Sequence, residues 1–158
     1  MVKELLLARH GQAEAPSFAV DDKDRKLTPT GMQQLQRLGK LLSINRQPCN
    51  YLVHSPATRC RHTAEILGRQ LKVKTLVSVS SIYRAGREEL LRVITDFPPN
   101  TNHVLLVGHN PAISQMAAYL TGESHLVFSP GMMARIHFRE LDWAAVSKEA
   151  GTLEEILQ

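Results

Sequence analysis

The chain has 158 residues, 43% of them hydrophobic, and 19 Lys and Arg against 15 Asp and Glu give a formal charge of +4. That length and apolar content suit one domain with a single sizeable core, and no apolar run approaches the length of a membrane span. The basic residues are spread along the chain and aromatic residues make up only 5%, so nucleic-acid binding is a poor fit, which leaves an acidic partner protein or a phosphorylated substrate.

Cys49 and Cys60 have no CxxC spacing, so reduced thiols are expected rather than a disulfide framework or a zinc knuckle. Only Leu5 to Ala8 form an apolar run before Arg9, too short for the core of a signal peptide. The sequence reads as a soluble, cytoplasmic protein with no membrane partner.

In chain order, Leu5-Leu6-Leu7-Ala8 predicts a strand buried on both faces, stopping on Arg9, His10 and Gly11. Ligands of parallel α/β sheets collect beyond the carboxyl ends of such strands. Gly11 is expected to let the backbone leave in a conformation, or at a closeness to a ligand, that a Cβ would obstruct. Gln12 to Lys26 is a polar loop carrying Glu14, Asp21, Asp22 and Asp24. Thr28-Pro29 supplies an N-cap with proline behind it, and Leu35, Leu38 and Leu42 extend a helix from Pro29 to Leu42.

Tyr51 to Ser55 predicts a second short strand, and Ser55-Pro56 a second cap, with Cys60, Ala64, Leu67 and Leu71 as the buried stripe of the next helix. Arg59 falls in its first turn. A cation beside the positive end of a helix dipole calls for an anion nearby, and phosphate suits it. Val73 to Val79 predicts a strand, and Glu88 to Phe97 a helix closed by Pro98-Pro99. His103 to Val107 is a strand running into Gly108-His109-Asn110-Pro111, followed by a helix with Ile113, Met116, Ala117 and Leu120 on one face and Gly122 as C-cap. A last strand covers Ala134 to Phe138, and Leu141 to Gln158, with Trp143, Leu153, Ile156 and Leu157, reads as a helix packing on the core.

Strands and helices alternate, so the expected fold is α/β: a single domain over residues 1–158, with a mostly parallel central sheet and helices on both faces. If the three strands that end in polar residues are neighbours, Arg9, His10, Arg59 and His109 converge on one edge. Two guanidinium forks match phosphate oxygens, and phosphoryl transfer asks mainly for positioning and positive charge. The same cations would keep His10 neutral, with a ring nitrogen free to attack phosphorus and no metal required. A GxxxxGK[ST] loop, GxGxxG turn, GxSxG elbow and C-x5-R loop are all absent, and Asp22-Lys23-Asp24 follows no apolar run. His54, His62, His103, His125 and His137 lack metal-site spacing and are assigned to structure or surface.

Arg9-His10-Gly11 at a strand end, Ser55-Pro56-Ala57-Thr58-Arg59-Cys60-Arg61-His62-Thr63-Ala64-Glu65 and Gly108-His109-Asn110-Pro111 together resemble the signature segments of the histidine phosphatases. The short chain and the segment from Asp22 to Gly31 resemble the SixA-type phosphohistidine phosphatase branch. This resemblance implies a phosphoglycerate-mutase-like fold, no cofactor, and a covalent phosphoryl intermediate on His10 gripped by Arg9, Arg59 and His109. Many relatives carry a glutamate after the third strand as proton donor. Here that region reads Ile82-Tyr83-Arg84-Ala85-Gly86, with Glu88 and Glu89 beyond it. The resemblance places the acid on Asp22, with Asp21, Asp24 and Glu14 as rivals.

Arg25 is expected to clamp an acidic substrate or to pair with the neighbouring aspartates, and Asn110 to bind substrate. A phosphorylated imidazole can leave with its own ring proton, so protein phosphohistidine is the expected substrate. The alternatives are a small phosphomonoester, or phosphate recognition without turnover.

Overall fold

The computed structural model describes residues 1–158, and its architecture is built on β1 (Val2–Arg9), in which Lys3 to Ala8 are all buried. β1 pairs in parallel with β4 (His103–Gly108) on one side and antiparallel with β5 (Met133–Arg139) on the other. With β2 (Tyr51–His54), β3 (Leu76–Ser78) and β6 (Thr152–Leu157), the six strands run in the order β3-β2-β4-β1-β5-β6. The first four are mutually parallel, and the two late strands make the sheet mixed.

Side chains of successive strand residues point to opposite faces, and both faces are covered by helices. Leu5 and Leu7 join a core with Ile94 of α3 (Arg87–Thr95) and with Ile113, Met116 and Leu120 of α4 (Ala112–Thr121). Leu6 and Ala8 face the other way, against Leu35, Leu38 and Leu42 of α1 (Pro29–Ile44) and Leu67 of α2 (Thr58–Gln70). Thr28 caps α1 by accepting from the Gly31 backbone N–H at 2.9 Å, and Gly122, at φ 78°, closes α4.

Three expectations from the sequence are corrected. Ser55 does not cap α2: the helix starts at Thr58, its N-cap is Ala57, and Ser55 is fully buried at the end of β2. The C-terminal segment is not a helix. Trp143 is buried there, donating to the Thr101 carbonyl and packing edge-on to Phe97 and Phe138, after which β6 pairs antiparallel with β5. No crossover helix separates β5 from β6, so the chain reverses, and Leu153 and Leu157 serve a strand instead of a helix face. Gly11 has no positive φ; its need for glycine is packing, since a Cβ there would lie 2.7 Å from Leu35 Cδ1.

Gly31 is still tighter, because a Cβ would stand 2.3 Å from the backbone oxygen of Gln12, where the loop after β1 crosses the start of α1. Gly31→Ala is expected to cost about 1–3 kcal/mol of stability, as overpacking against backbone does. Urea unfolding of the two proteins checks this; an unchanged midpoint would mean that the contact is slack.

Candidate active site

The register Arg9↔Gly108 between β1 and β4 sends His10 and His109 off adjacent strand ends, with ring centroids 5.4 Å apart. Arg59, in the first turn of α2, reaches between them. The three line one open pocket of about 510 Å³ together with Arg9, Asp22 and Arg25. Four residues from separate strand ends and a helix start are thus brought together, as the alternation of elements implied.

His10 is buried, and its Nδ1–H donates to the Gly11 carbonyl at 2.8 Å, since a carbonyl can only accept. That fixes Nε2 as the lone pair, pointing into the pocket with the Arg59 Nε–H 3.3 Å away. Burial, then the charges of Arg59, Arg9 and Arg25, push its pKa down to about 4, against the opposing pull of the Gly11 carbonyl. The neutral imidazole expected from neighbouring cations is therefore owed first to desolvation. Gly11 N–H donates to Thr63 Oγ1 at 3.0 Å, and Thr63 Oγ1 in turn donates to the Arg59 carbonyl at 2.7 Å. One hydroxyl so ties the His10 loop to the helix turn that carries Arg59.

His109 is held by Arg59 Nη2, 3.3 Å from its Nδ1, and by Ser55 Oγ, 2.8 Å from its Nε2. Arginine only donates, so Nδ1 accepts and Nε2–H is directed at Ser55. Burial lowers the His109 pKa to about 3, helped by His10 and Arg59 and opposed by Asp22. Arg9 donates from Nη1 to the Phe128 carbonyl at 2.8 Å, whereas its Nε, also buried, has no partner. Arg9 also lines the pocket, where a guanidinium suits an incoming anion.

Of the rival carboxylates, Asp22 alone lines this pocket. Glu14 accepts from the Lys26 backbone and Glu89 from the Gly86 backbone. Asp22 Oδ2 accepts from Tyr83 Oη at 2.7 Å and from Arg59 Nη2 at 3.0 Å, and Oδ1 from Arg25 Nε and Nη2 at 3.0 and 2.9 Å. These donors, Tyr83 foremost, hold the carboxyl far below the usual range, so it carries no proton in the resting site. Arg25 is spent on Asp22 and on the Glu14 carbonyl, at 2.6 Å, the pairing role foreseen for it. Asn110 borders the pocket, but its amide serves the framework, donating to the Phe128 carbonyl and accepting from Ser114.

Sequence reasoning missed Ser55 and Tyr83. Ser55 before Pro56 reads as a helix cap. Tyr83 lay in a linker without periodicity, and only its position, where a glutamate is common, could have drawn attention to it.

A neutral, buried imidazole beside two guanidinium groups at the carboxyl edge of an α/β sheet makes a pocket suited to a tetrahedral oxyanion. Residues 5–80 match the model of the histidine phosphatase superfamily (branch 1). An uncharacterised protein of Mycobacterium leprae is 29% identical over 117 residues, covering 72% of this chain and 71% of its own. A structure from Nakamurella multipartitia that bears the name phosphohistidine phosphatase SixA superposes with a TM-score of 0.88 at 24% identity, covering 100% of this chain and 96% of that one. The protein histidine phosphatase SixA complexed with tungstate gives a TM-score of 0.79 at 20% identity, covering 98% and 96%. At these identities the superpositions establish the fold. The likeness to the histidine phosphatase superfamily thus rests on residues 5–80, which hold Arg9, His10 and Arg59.

Because the folded pKa values of His10 and His109, about 4 and about 3, lie below the ordinary 6.5, the unfolded chain takes up protons first as pH falls. The contribution to stability is full above about pH 6.5 and is lost on acidification toward pH 4. Between pH 7 and pH 5 the wild type is expected to lose roughly 3–4 kcal/mol more than a His10→Gln, His109→Gln variant. Urea midpoints at the two pH values check this, and parallel pH slopes would contradict it.

Proposed function

We propose that this chain is a phosphatase that takes a phosphoryl group onto His10 Nε2 and passes it to water, with protein phosphohistidine as substrate. The observation that carries this reading is the His10 Nε2 lone pair, held neutral within reach of Arg59 and beside Arg9 and His109. Nε2 attacks phosphorus as the substrate P–N bond breaks. The bonding electrons leave with the substrate imidazole, which departs as a neutral ring when its other nitrogen is already protonated. Water then displaces His10 from phosphorus, releasing inorganic phosphate and one proton. Arg9, Arg59 and His109 supply the charge and hydrogen bonds around the equatorial oxygens.

The state of Asp22 favours a P–N substrate. The residue gives no proton while Tyr83, Arg25 and Arg59 bind it, and Tyr83 stands where a glutamate acid would be expected. A phosphoryl dianion that took over Arg59 would remove one cationic partner and add a like charge, raising the proton affinity of Asp22. An alkoxide leaving group needs that late acid, whereas a ring-protonated imidazole does not. Two neighbours of the same fold bear the name of a phosphatase acting on phosphohistidine or protein histidine, which accords with this assignment. No helix is long and apolar enough to cross a membrane, and the unpaired Cys49 and Cys60 suit the cytoplasm, where we place the protein.

Rapid quenching after mixing with a ³²P-phosphohistidine protein is expected to show acid-labile, alkali-stable label on the wild type and none on His10→Ala. A folded wild type that neither takes up label nor depletes the donor would make this a phosphate-recognition module. Asp22→Asn is expected to lower turnover of an alkyl phosphomonoester at least tenfold and that of phosphohistidine less than threefold, about 1.4 against 0.6 kcal/mol in barrier. The reverse ranking would assign the enzyme to small phosphomonoesters.

A further inference from the structure

A second cavity of about 360 Å³ adjoins the catalytic pocket and shares Gln12 and Pro130 with it. Its long wall is α1, through Gln34, Leu38 and Leu41. Leu41 is 46% exposed, on a helix that lies against α2 and the sheet with its opposite side. The cavity on the α1 side and the pocket that holds His10 therefore meet at Gln12 and Pro130.

The charge of that face is one-sided. The 16 residues of α1 include no aspartate or glutamate, while Arg37 and Lys40 project from it into solvent. Both also line a hollow between α1 and α2, where Arg69 joins them and again no carboxylate is present. None of these three cations has an ion-pair partner in the fold. Arg61 with Glu65 and Arg139 with Glu154 are paired, whereas Lys72, Lys74 and Lys148 are as free as the cations of α1; what sets α1 apart is that it carries no carboxylate of its own. A solvated helix usually mixes signs, and Glu–Lys pairs at i,i+4 would stabilise it. A face that keeps its cations free beside an apolar groove is complementary to a surface carrying acids around an apolar contact.

We propose that the α1 face is the docking surface for the protein that carries the phosphohistidine, and that this partner is acidic where it meets Arg37 and Lys40. The inference rests on the phosphatase reading and adds to it the surface and charge of the substrate protein. Seated on that face, the partner would present its phosphorylated side chain past Pro130 to His10. Apolar contact at Leu41 and charge contact at Arg37, Lys40 and Arg69 would set KM, leaving the chemistry to the pocket. A small phosphoramidate, which spans only the pocket, would be indifferent to this face.

The test compares three substrates: an acidic carrier protein phosphorylated on histidine, a basic histone phosphorylated on histidine, and phosphoramidate. The variants are Arg37→Glu/Lys40→Glu and Leu41→Glu, with Lys148→Glu as a charge-reversal control outside the face. The wild type is expected to have the lower KM for the acidic carrier, rising with salt. The double variant is expected to raise that KM roughly tenfold, to narrow the gap to the histone, and to keep kcat/KM for phosphoramidate within about twofold of the wild type. The control should stay near wild type on all three. An unchanged carrier KM in both α1 variants, with phosphoramidate turnover intact, overturns the docking surface and leaves the phosphatase reading standing. A wild type that hydrolyses none of the three overturns the phosphatase reading itself. Should the double variant lose binding to anionic lipid vesicles while the carrier KM is unmoved, the face belongs to a membrane surface and the proposal is wrong.

Discussion

The pairing of β1 with β4 is the constraint on which the site depends. Parallel strands have evenly spaced hydrogen bonds and no turn to fix their register, so the match of Leu5, Leu6 and Leu7 to Val104, Leu105 and Leu106 is set by burial on both faces. A slip of one residue would turn every one of those side chains over and move His10 away from His109. The geometry of the pocket is thus held by apolar packing, with its polar residues at the strand ends where packing stops. Arg59 arrives from a different element, but the Thr63 hydroxyl joins its turn to Gly11 and carries the same constraint across the pocket.

Two kinds of electrostatic control meet within a few ångströms. The histidines are neutral because they are buried among cations, which suits a nucleophile. Asp22, half exposed, is held ionised well below the usual carboxylate range because four hydrogen bonds from Tyr83, Arg59 and Arg25 converge on its two oxygens. The resting pocket therefore holds its positive charge partly neutralised by an internal carboxylate, while the second guanidinium, Arg9, lines it as well. Arg9 is the fixed part of the anion site, and Arg59 the part that must change partner.

Much of this was legible in the sequence. Arg9 and His10 could be placed because an apolar run ended on them, and His109 because the same pattern recurred; strand ends of a parallel sheet make such residues neighbours. Arg59 could be placed from its helix start. Ser55 was misread for a physical reason: Ser-Pro before a helix fits a cap, and only the three-dimensional course of β2 shows the hydroxyl turned toward His109. The state of Asp22 depends on Tyr83, 61 residues away in sequence, a distance over which no periodicity carries information. The spacing of Leu153, Ile156 and Leu157 suggests a helix for β6, while the edge position and the register shift of β5 at Arg135 and Ile136 that select a strand are tertiary.

The contact between Asp22 and Arg59 has a consequence for turnover. Any anion that takes Arg59 Nη2 must displace a carboxylate already 3.0 Å from it, so binding is an exchange of one anion for another. The free energy of that exchange is smaller than that of filling an empty site, and this weakens the hold on inorganic phosphate as much as on substrate. In the proposed reaction, once phosphate has formed, the same carboxylate is tethered beside the guanidinium at high effective concentration and competes for it. The pocket thus carries its own displacing ion, which opposes inhibition by its product.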